Sequence, residues 1–115
     1  MYIRYAGNKY GNIKTVVDGI KFDSKKEANR YQELKVLKSI GKIENLKLQP
    51  RYELQPKYRI NGRNIRNLEY KADFEYIDKK TGEIITEDVK GMKTPVYKIK
   101  KKLFEYKYNR EIKEI

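Results

Sequence analysis

The sequence predicts an α/β fold in which a mixed sheet is flanked by helices. Two stretches, Ser24 to Ile40 and Thr94 to Tyr106, space their apolar residues with a helical period. Between them Tyr70, Ala72, Phe74 and Tyr76 alternate with Lys71, Asp73 and Glu75, the two-residue period of a half-buried strand. No linker, low-complexity stretch or long repeat interrupts the 115 residues, a length that suits a single domain over 1–115 with residues 1–23 as an N-terminal hairpin extension.

In chain order, Ile13 to Val17 and Ile20 to Phe22 are apolar or β-branched runs. Asp18-Gly19 joins them, a pair that readily takes the positive φ values of a two-residue hairpin. Ser24 opens the first helix, with Glu27, Tyr31, Leu34 and Lys38 on one line, Ala28, Leu37 and Ile40 beside it, and Gly41 as its stop. From Ile43 to Tyr58 the pattern turns to strand, Leu46, Leu48, Tyr52 and Leu54 alternating. Gln49-Pro50 and Gln55-Pro56 mark edges, bends or strand ends there, because proline has no N–H for a sheet ladder. Asn61-Gly62 is a tight turn, after which Asn64 to Ile77 reads as one long strand. Lys80-Thr81-Gly82 turns the chain into a further strand, Glu83 to Lys90, ending at Gly91. Thr94-Pro95 suits the cap and first position of a second helix with an apolar stripe of Val96, Ile99, Leu103 and Tyr106. Arg110 to Ile115 alternates weakly and forms a last short strand.

Composition then limits the chemistry. Twenty-eight Lys and Arg against sixteen Asp and Glu give a net charge of +12, which points to a polyanionic partner, nucleic acid first. The lysines lie among eleven tyrosines and not along one amphipathic membrane helix, so membrane is not the expected partner. The chain has neither cysteine nor histidine, which excludes disulfides, thiolate zinc sites, cysteine nucleophiles and Ser-His-Asp triads. Carboxylate, lysine, tyrosine and hard-cation chemistry is what is left. The N-terminal stretch carries no apolar run of the signal-peptide kind, so the protein is expected to stay in the cytoplasm where it is made.

Asp88-Val89-Lys90 is the triplet most suited to catalysis. Residues two apart on a strand project from the same face, so Asp88 and Lys90 stand side by side while Val89 points to the core. Asp73 comes from the strand before the Thr81-Gly82 turn, and pairing of the two strands would bring all three groups together. Two carboxylates can hold Mg²⁺, which neutralises phosphate charge and activates water, while a lysine stabilises charge or orients that water. Phosphodiester hydrolysis matches this set, though a D-x-K also arises by chance in a chain with 38% charged residues, where it would be a surface salt bridge.

Asp73 at a strand end, a turn, then Asp88-Val89-Lys90 on the next strand resembles the PD-(D/E)xK nuclease superfamily, which includes many restriction enzymes and archaeal-type Holliday junction resolvases. Val17 to Ala28, Leu48-Gln49-Pro50, Lys71-Ala72-Asp73-Phe74 and Glu87-Asp88-Val89-Lys90-Gly91 are similar to a family of small phage-borne proteins of unknown function grouped with that superfamily, and the likeness covers nearly the whole chain. The resemblance implies a restriction-endonuclease-like αβββαβ core, a helix, three antiparallel strands, a helix and a final strand, with metal bound where two strands diverge. Ala72 replaces the proline of the superfamily's name, and the second acid is Asp88, with Glu87 adjoining. Asp88 is preferred because Glu87 would share the apolar face of Ile85 and Val89.

The same resemblance implies a Mg²⁺-dependent endonuclease, with Mn²⁺ as a substitute, in which Asp73 and Asp88 bind metal, Lys90 aids the attacking water and Glu27 supports the metal. Glu27 has a competing role, since Ser24-x-x-Glu27 is also a helix capping box. Lys93, Lys98, Lys101 and Lys102 could hold flanking phosphates or be a solvated helix face; Tyr97 could stack on a splayed base or pack; Gln49 could adjoin the site or serve a turn. Resolvase-like members act as symmetric dimers on branched DNA, so the partners implied are DNA and a second copy in a homodimer. Two other functions compete with a junction-cutting enzyme of phage recombination or DNA processing: a non-catalytic basic nucleic-acid-binding protein, and a phage module that engages an acidic host protein.

Overall fold

The computed structural model describes residues 3–7 and 13–115, so residues 1–2 and 8–12 of the expected N-terminal extension lie outside the described residues. The chain forms two compact units, residues 1–44 and 45–115.

The first unit is a three-stranded antiparallel sheet and a helix. β1 (Ile3–Gly7), a strand the sequence pattern did not announce, pairs with β2 (Ile13–Val17), and β2 pairs with β3 (Ile20–Phe22). Asp18 at φ 53 and Gly19 at φ 75 form the expected two-residue turn, the left-handed pair that matches strand twist. Helix α1 (Lys25–Ser39) is capped by Ser24, whose hydroxyl accepts the Glu27 N–H at 3.1 Å, and Gly41 follows it at φ 76. Ala28, Tyr31 and Leu34 are buried with Val17 and Phe22, and the Phe22 and Tyr31 rings lie 5.0 Å apart. Ile40, expected beside this line, is 60% exposed.

The second unit bears out the mixed α/β class. A four-stranded sheet runs β11-β10-β9-β4, with β4 (Ile43–Leu48) entering it from the unit boundary. β9 (Phe74–Asp78) and β10 (Ile84–Asp88) are antiparallel, and β11 (Ile112–Glu114) returns parallel to β10 after helix α2 (Pro95–Tyr108). Gln49, at φ 50, ends β4, and β5 (Arg51–Gln55) then pairs antiparallel with β8 (Leu68–Lys71). Between those two, β6 (Tyr58–Ile60) and β7 (Arg63–Ile65) form a hairpin closed by Asn61 and Gly62, both at positive φ. The aromatic core of this unit joins Tyr52, Tyr70, Ala72, Tyr97, Phe104 and Ile112.

Three expectations are corrected. The long strand over 64–77 is three strands, β7, β8 and β9, because its pairing partner changes twice. At Ala72 the N–H still bonds the Pro50 carbonyl, whereas at Asp73 it bonds the Glu87 carbonyl, so the chain bends there from one sheet to another. The strand over 83–90 is shorter, Ile84–Asp88, and Val89 is half-buried instead of core. On α2 the buried face is Tyr97 and Phe104; Val96, Ile99, Leu103 and Tyr106 are exposed, Tyr106 at 91%. The five-ring cluster of Tyr52, Tyr70, Phe104, Tyr97 and Tyr108 decides which side turns inward, since stacked and edge-on rings bury more area than short aliphatics. No helix among the described residues is long and apolar enough to cross a membrane.

Candidate active site

The site forms where β9 and β10 part. Their register runs from Ile77↔Ile84 to Phe74↔Glu87, and its next step sets Asp73 opposite Asp88. There the regular ladder ends. The Asp73 carbonyl is taken by the Gln49 N–H at 2.9 Å, while the Val89 N–H donates to the Asp73 carboxylate at 2.6 Å, a side chain standing in for a backbone acceptor. The Asp73 carboxylate is thereby anchored to the backbone of the residue between Asp88 and Lys90. Gln49 adjoins the site through its backbone and serves a turn at once.

Asp88 is 3% exposed, and both of its carboxylate oxygens have partners. Tyr70 donates its hydroxyl to Oδ2, and Lys90 Nζ stands 3.1 Å from Oδ1. Burial, reinforced by the bond to Asp88, raises the Tyr70 pKa, so the phenol remains a fixed proton donor. Asp88 and Lys90 thus share a face as their spacing predicts. Glu87 points the other way, fully buried, and accepts the Tyr76 hydroxyl.

Lys90 is seated from below. Its ammonium lies 4.0 Å from the centre of the Tyr97 ring, a cation–π contact beside its ion pair with Asp88. Thr94 places Tyr97 by accepting its N–H at 3.1 Å at the start of α2. The Tyr97 hydroxyl donates to Glu114 at 2.7 Å, and burial followed by this bond raises its pKa. Glu114 is the register partner of Asp88 on β11 and also holds Lys93 at 3.2 Å and Lys101 at 3.3 Å. The Tyr97 bond first, then the lysines, hold its carboxyl down at about 2. Lys98 and Lys102 are exposed on α2.

Of the residues singled out in the sequence, Asp73, Asp88, Lys90, Tyr97, Lys93 and Lys101 are therefore brought into one contact network. Tyr97 packs, with its ring under Lys90. Glu27 belongs to the first unit, on α1, where its side chain is buried and its backbone N–H completes the Ser24 half of the capping box. Tyr70 and Glu114 were missed. A tyrosine on a buried strand face needs a partner for its hydroxyl, which was a usable signal for Tyr70; Glu114 becomes visible only once β11 is known to lie parallel beside β10.

The donor set suits a hard cation. Among the described residues no group of three or more His, Cys, Asp and Glu side chains gathers closely enough to enclose a metal. A pair of carboxylates is nonetheless what Mg²⁺ commonly takes from protein, the remaining positions being water and substrate phosphate oxygens. No curated protein and no solved structure matches the chain. A family model described as "Protein of unknown function (DUF1064)" matches residues 7–114.

Proposed function

The chain belongs to the DUF1064 family, whose function is unknown, and from the chemistry of its own residues together with its sequence resemblance we propose that it is a magnesium-dependent endonuclease of the PD-(D/E)xK kind that hydrolyses phosphodiester bonds in DNA. The observation that carries this is the Asp88–Lys90 ion pair where two paired strands diverge, with the Asp73 carboxylate bonded to the Val89 N–H between those two residues. The order helix, strands, helix, strand supports it, as does the net charge of +12.

Asp73 and Asp88 would hold Mg²⁺, which when bound neutralises phosphate charge and lowers the pKa of a water. Tyr70 keeps one oxygen of Asp88 engaged and so fixes the direction of the other. The Val89 N–H does the same for Asp73. Lys90, resting on the Tyr97 ring, is free to exchange its Asp88 contact for a phosphate oxygen or for the attacking water without leaving its seat. Burial strengthens each of these charge interactions relative to water. Branched DNA, a homodimer, phage origin and action in the host cytoplasm complete the proposal and rest on the sequence resemblance.

Asp73→Ala and Asp88→Ala should abolish cutting while leaving DNA binding in Ca²⁺ largely intact; cutting at the wild-type rate by either would overturn the assignment. Lys90→Ala removes one charge of twenty-eight, so binding should persist while single-turnover cleavage slows by about 100-fold or more. A non-catalytic nucleic-acid-binding protein is the rival, favoured by the complete pairing of Asp88 with Tyr70 and Lys90. Binding without cutting in Mg²⁺ on every DNA form would establish it.

A further inference from the structure

From Leu54 to Leu68 the chain contains no acidic residue, while Lys57, Arg59, Arg63 and Arg66 supply four cations and Gln55, Asn61, Asn64 and Asn67 four amides. This segment is the β6–β7 hairpin and its two connections to β5 and β8. All four cations are exposed, and among the described residues none of them has an ion-pair partner, in contrast to Lys47, Lys90, Lys93, Lys101 and Arg110. Burying little and holding no charge partner, the hairpin contributes little to its own unit's core.

Its two faces differ. Tyr58↔Ile65, Arg59↔Asn64 and Ile60↔Arg63 are the register pairs, so Arg59 and Asn64 stand directly opposite on one face. Lys57 and Arg66 adjoin the two strand ends, next to the last register pair Tyr58↔Ile65. Arg59 and Asn64 thus give this face a cation and an amide, with Lys57 and Arg66 beyond its end, while Tyr58, Ile60, Arg63 and Ile65 occupy the other.

We propose that the β6–β7 ribbon is a DNA-reading arm that enters the major groove of duplex DNA with its Arg59-Asn64 face toward base edges and with Lys57 and Arg66 for flanking phosphates. For its partner this rests on the nuclease proposal. A two-stranded ribbon fits the major groove of B-form DNA, and arginine and asparagine are the side chains that pair bidentately with guanine and adenine edges there. The deep, narrow major groove of A-form RNA would exclude it. The arm is also within range of the cut. Asp73 is nine chain steps from Asn64, so at ~3.3 Å per extended residue the two backbones lie no more than ~30 Å apart, inside one turn of duplex at ~34 Å.

The test compares Lys57→Gln/Arg59→Gln/Arg66→Gln with a control that removes equal charge elsewhere, Lys21→Gln/Lys38→Gln/Lys80→Gln, all six side chains being exposed. Binding of duplex DNA is measured against salt in Ca²⁺. The ribbon variant should lose at least tenfold in affinity and flatten the log–log salt slope by about 2 to 3, at ~0.9 per lost phosphate contact, while the control changes little. Equal losses in the two variants, or a ribbon variant that binds like wild type, would overturn the arm. Dimethyl sulfate methylates guanine N7 in the major groove, so bound duplex should be protected by wild type and not by the ribbon variant; no protection by wild type excludes groove entry. The two proposals fail separately. Ribbon-dependent binding with no cutting in Mg²⁺ would remove the nuclease and keep the arm, whereas normal cutting and binding by the ribbon variant would do the reverse.

Discussion

At the residue scale, the site is a set of carboxylates each fixed by a named donor. Tyr70 is the clearest positioning residue, because its hydroxyl is committed to Asp88 and its pKa is raised by burial. Tyr70→Phe should raise the Mg²⁺ concentration needed for half-maximal cutting by roughly 10- to 100-fold, the usual cost of losing a group that orients a metal ligand; an unchanged Mg²⁺ requirement would mean that Tyr70 is only core. Glu114 makes a different prediction. Its folded value of about 2 lies below the ordinary 4.5, so the stability it contributes is fully present above about 4.5 and is lost as pH falls toward 2. Denaturant unfolding from pH 5 to 2 should show a steeper loss in wild type than in Glu114→Gln, and parallel curves would contradict the Tyr97-Lys93-Lys101 cluster around it. The pairing of Asp88 with Lys90 was legible in the sequence because period-two projection is a local rule. Glu114 was not, since its place depends on a parallel strand that returns after a whole helix.

At the element scale, turns and caps were legible and pairing partners were not. Asp18-Gly19, Asn61-Gly62, Ser24 and Thr94 act through backbone conformations and bonds that span a few residues, and each is found where its chemistry predicts. The chain over 64–77 kept its alternation of burial, Tyr70, Ala72, Phe74 and Tyr76 inside, yet it serves three strands, because alternation says nothing about which neighbour supplies the hydrogen bonds. Helix α2 misled for a related reason: two faces are apolar enough to be buried, and the aromatic one is chosen. Phe104→Ala should cost about 3–5 kcal/mol of unfolding free energy, and Leu103→Ala about 0.5 kcal/mol or less. The opposite ranking in denaturant titrations would restore the stripe that sequence periodicity suggested.

At the scale of the whole molecule, two features are readable in the sequence: the α/β class, from alternating and helical periods, and the absence of histidine and cysteine, which leaves carboxylate, lysine, tyrosine and hard-cation chemistry for the proposed activity. The net charge of +12 is a property of the molecule and not of any one lysine, and it acts on encounter and on salt dependence more than on the chemical step. Location of that charge was less legible, for Lys93 ahead of α2 and Lys101 on it are engaged by Glu114, while the unpaired cations of the β6–β7 ribbon carry no motif in the sequence. The central claim is that Asp73 and Asp88 form a metal-dependent cutting site, and one measurement addresses it directly. Labelled four-way junction, flap, single-stranded and linear duplex DNA would be incubated with wild type and with Asp88→Ala, side by side in Mg²⁺, Mn²⁺ and Ca²⁺. The account predicts cutting by wild type alone, in Mg²⁺ and Mn²⁺ but not in Ca²⁺, with branched forms cut first; equal cutting by Asp88→Ala, or cutting that persists when divalent metal is chelated, would contradict it.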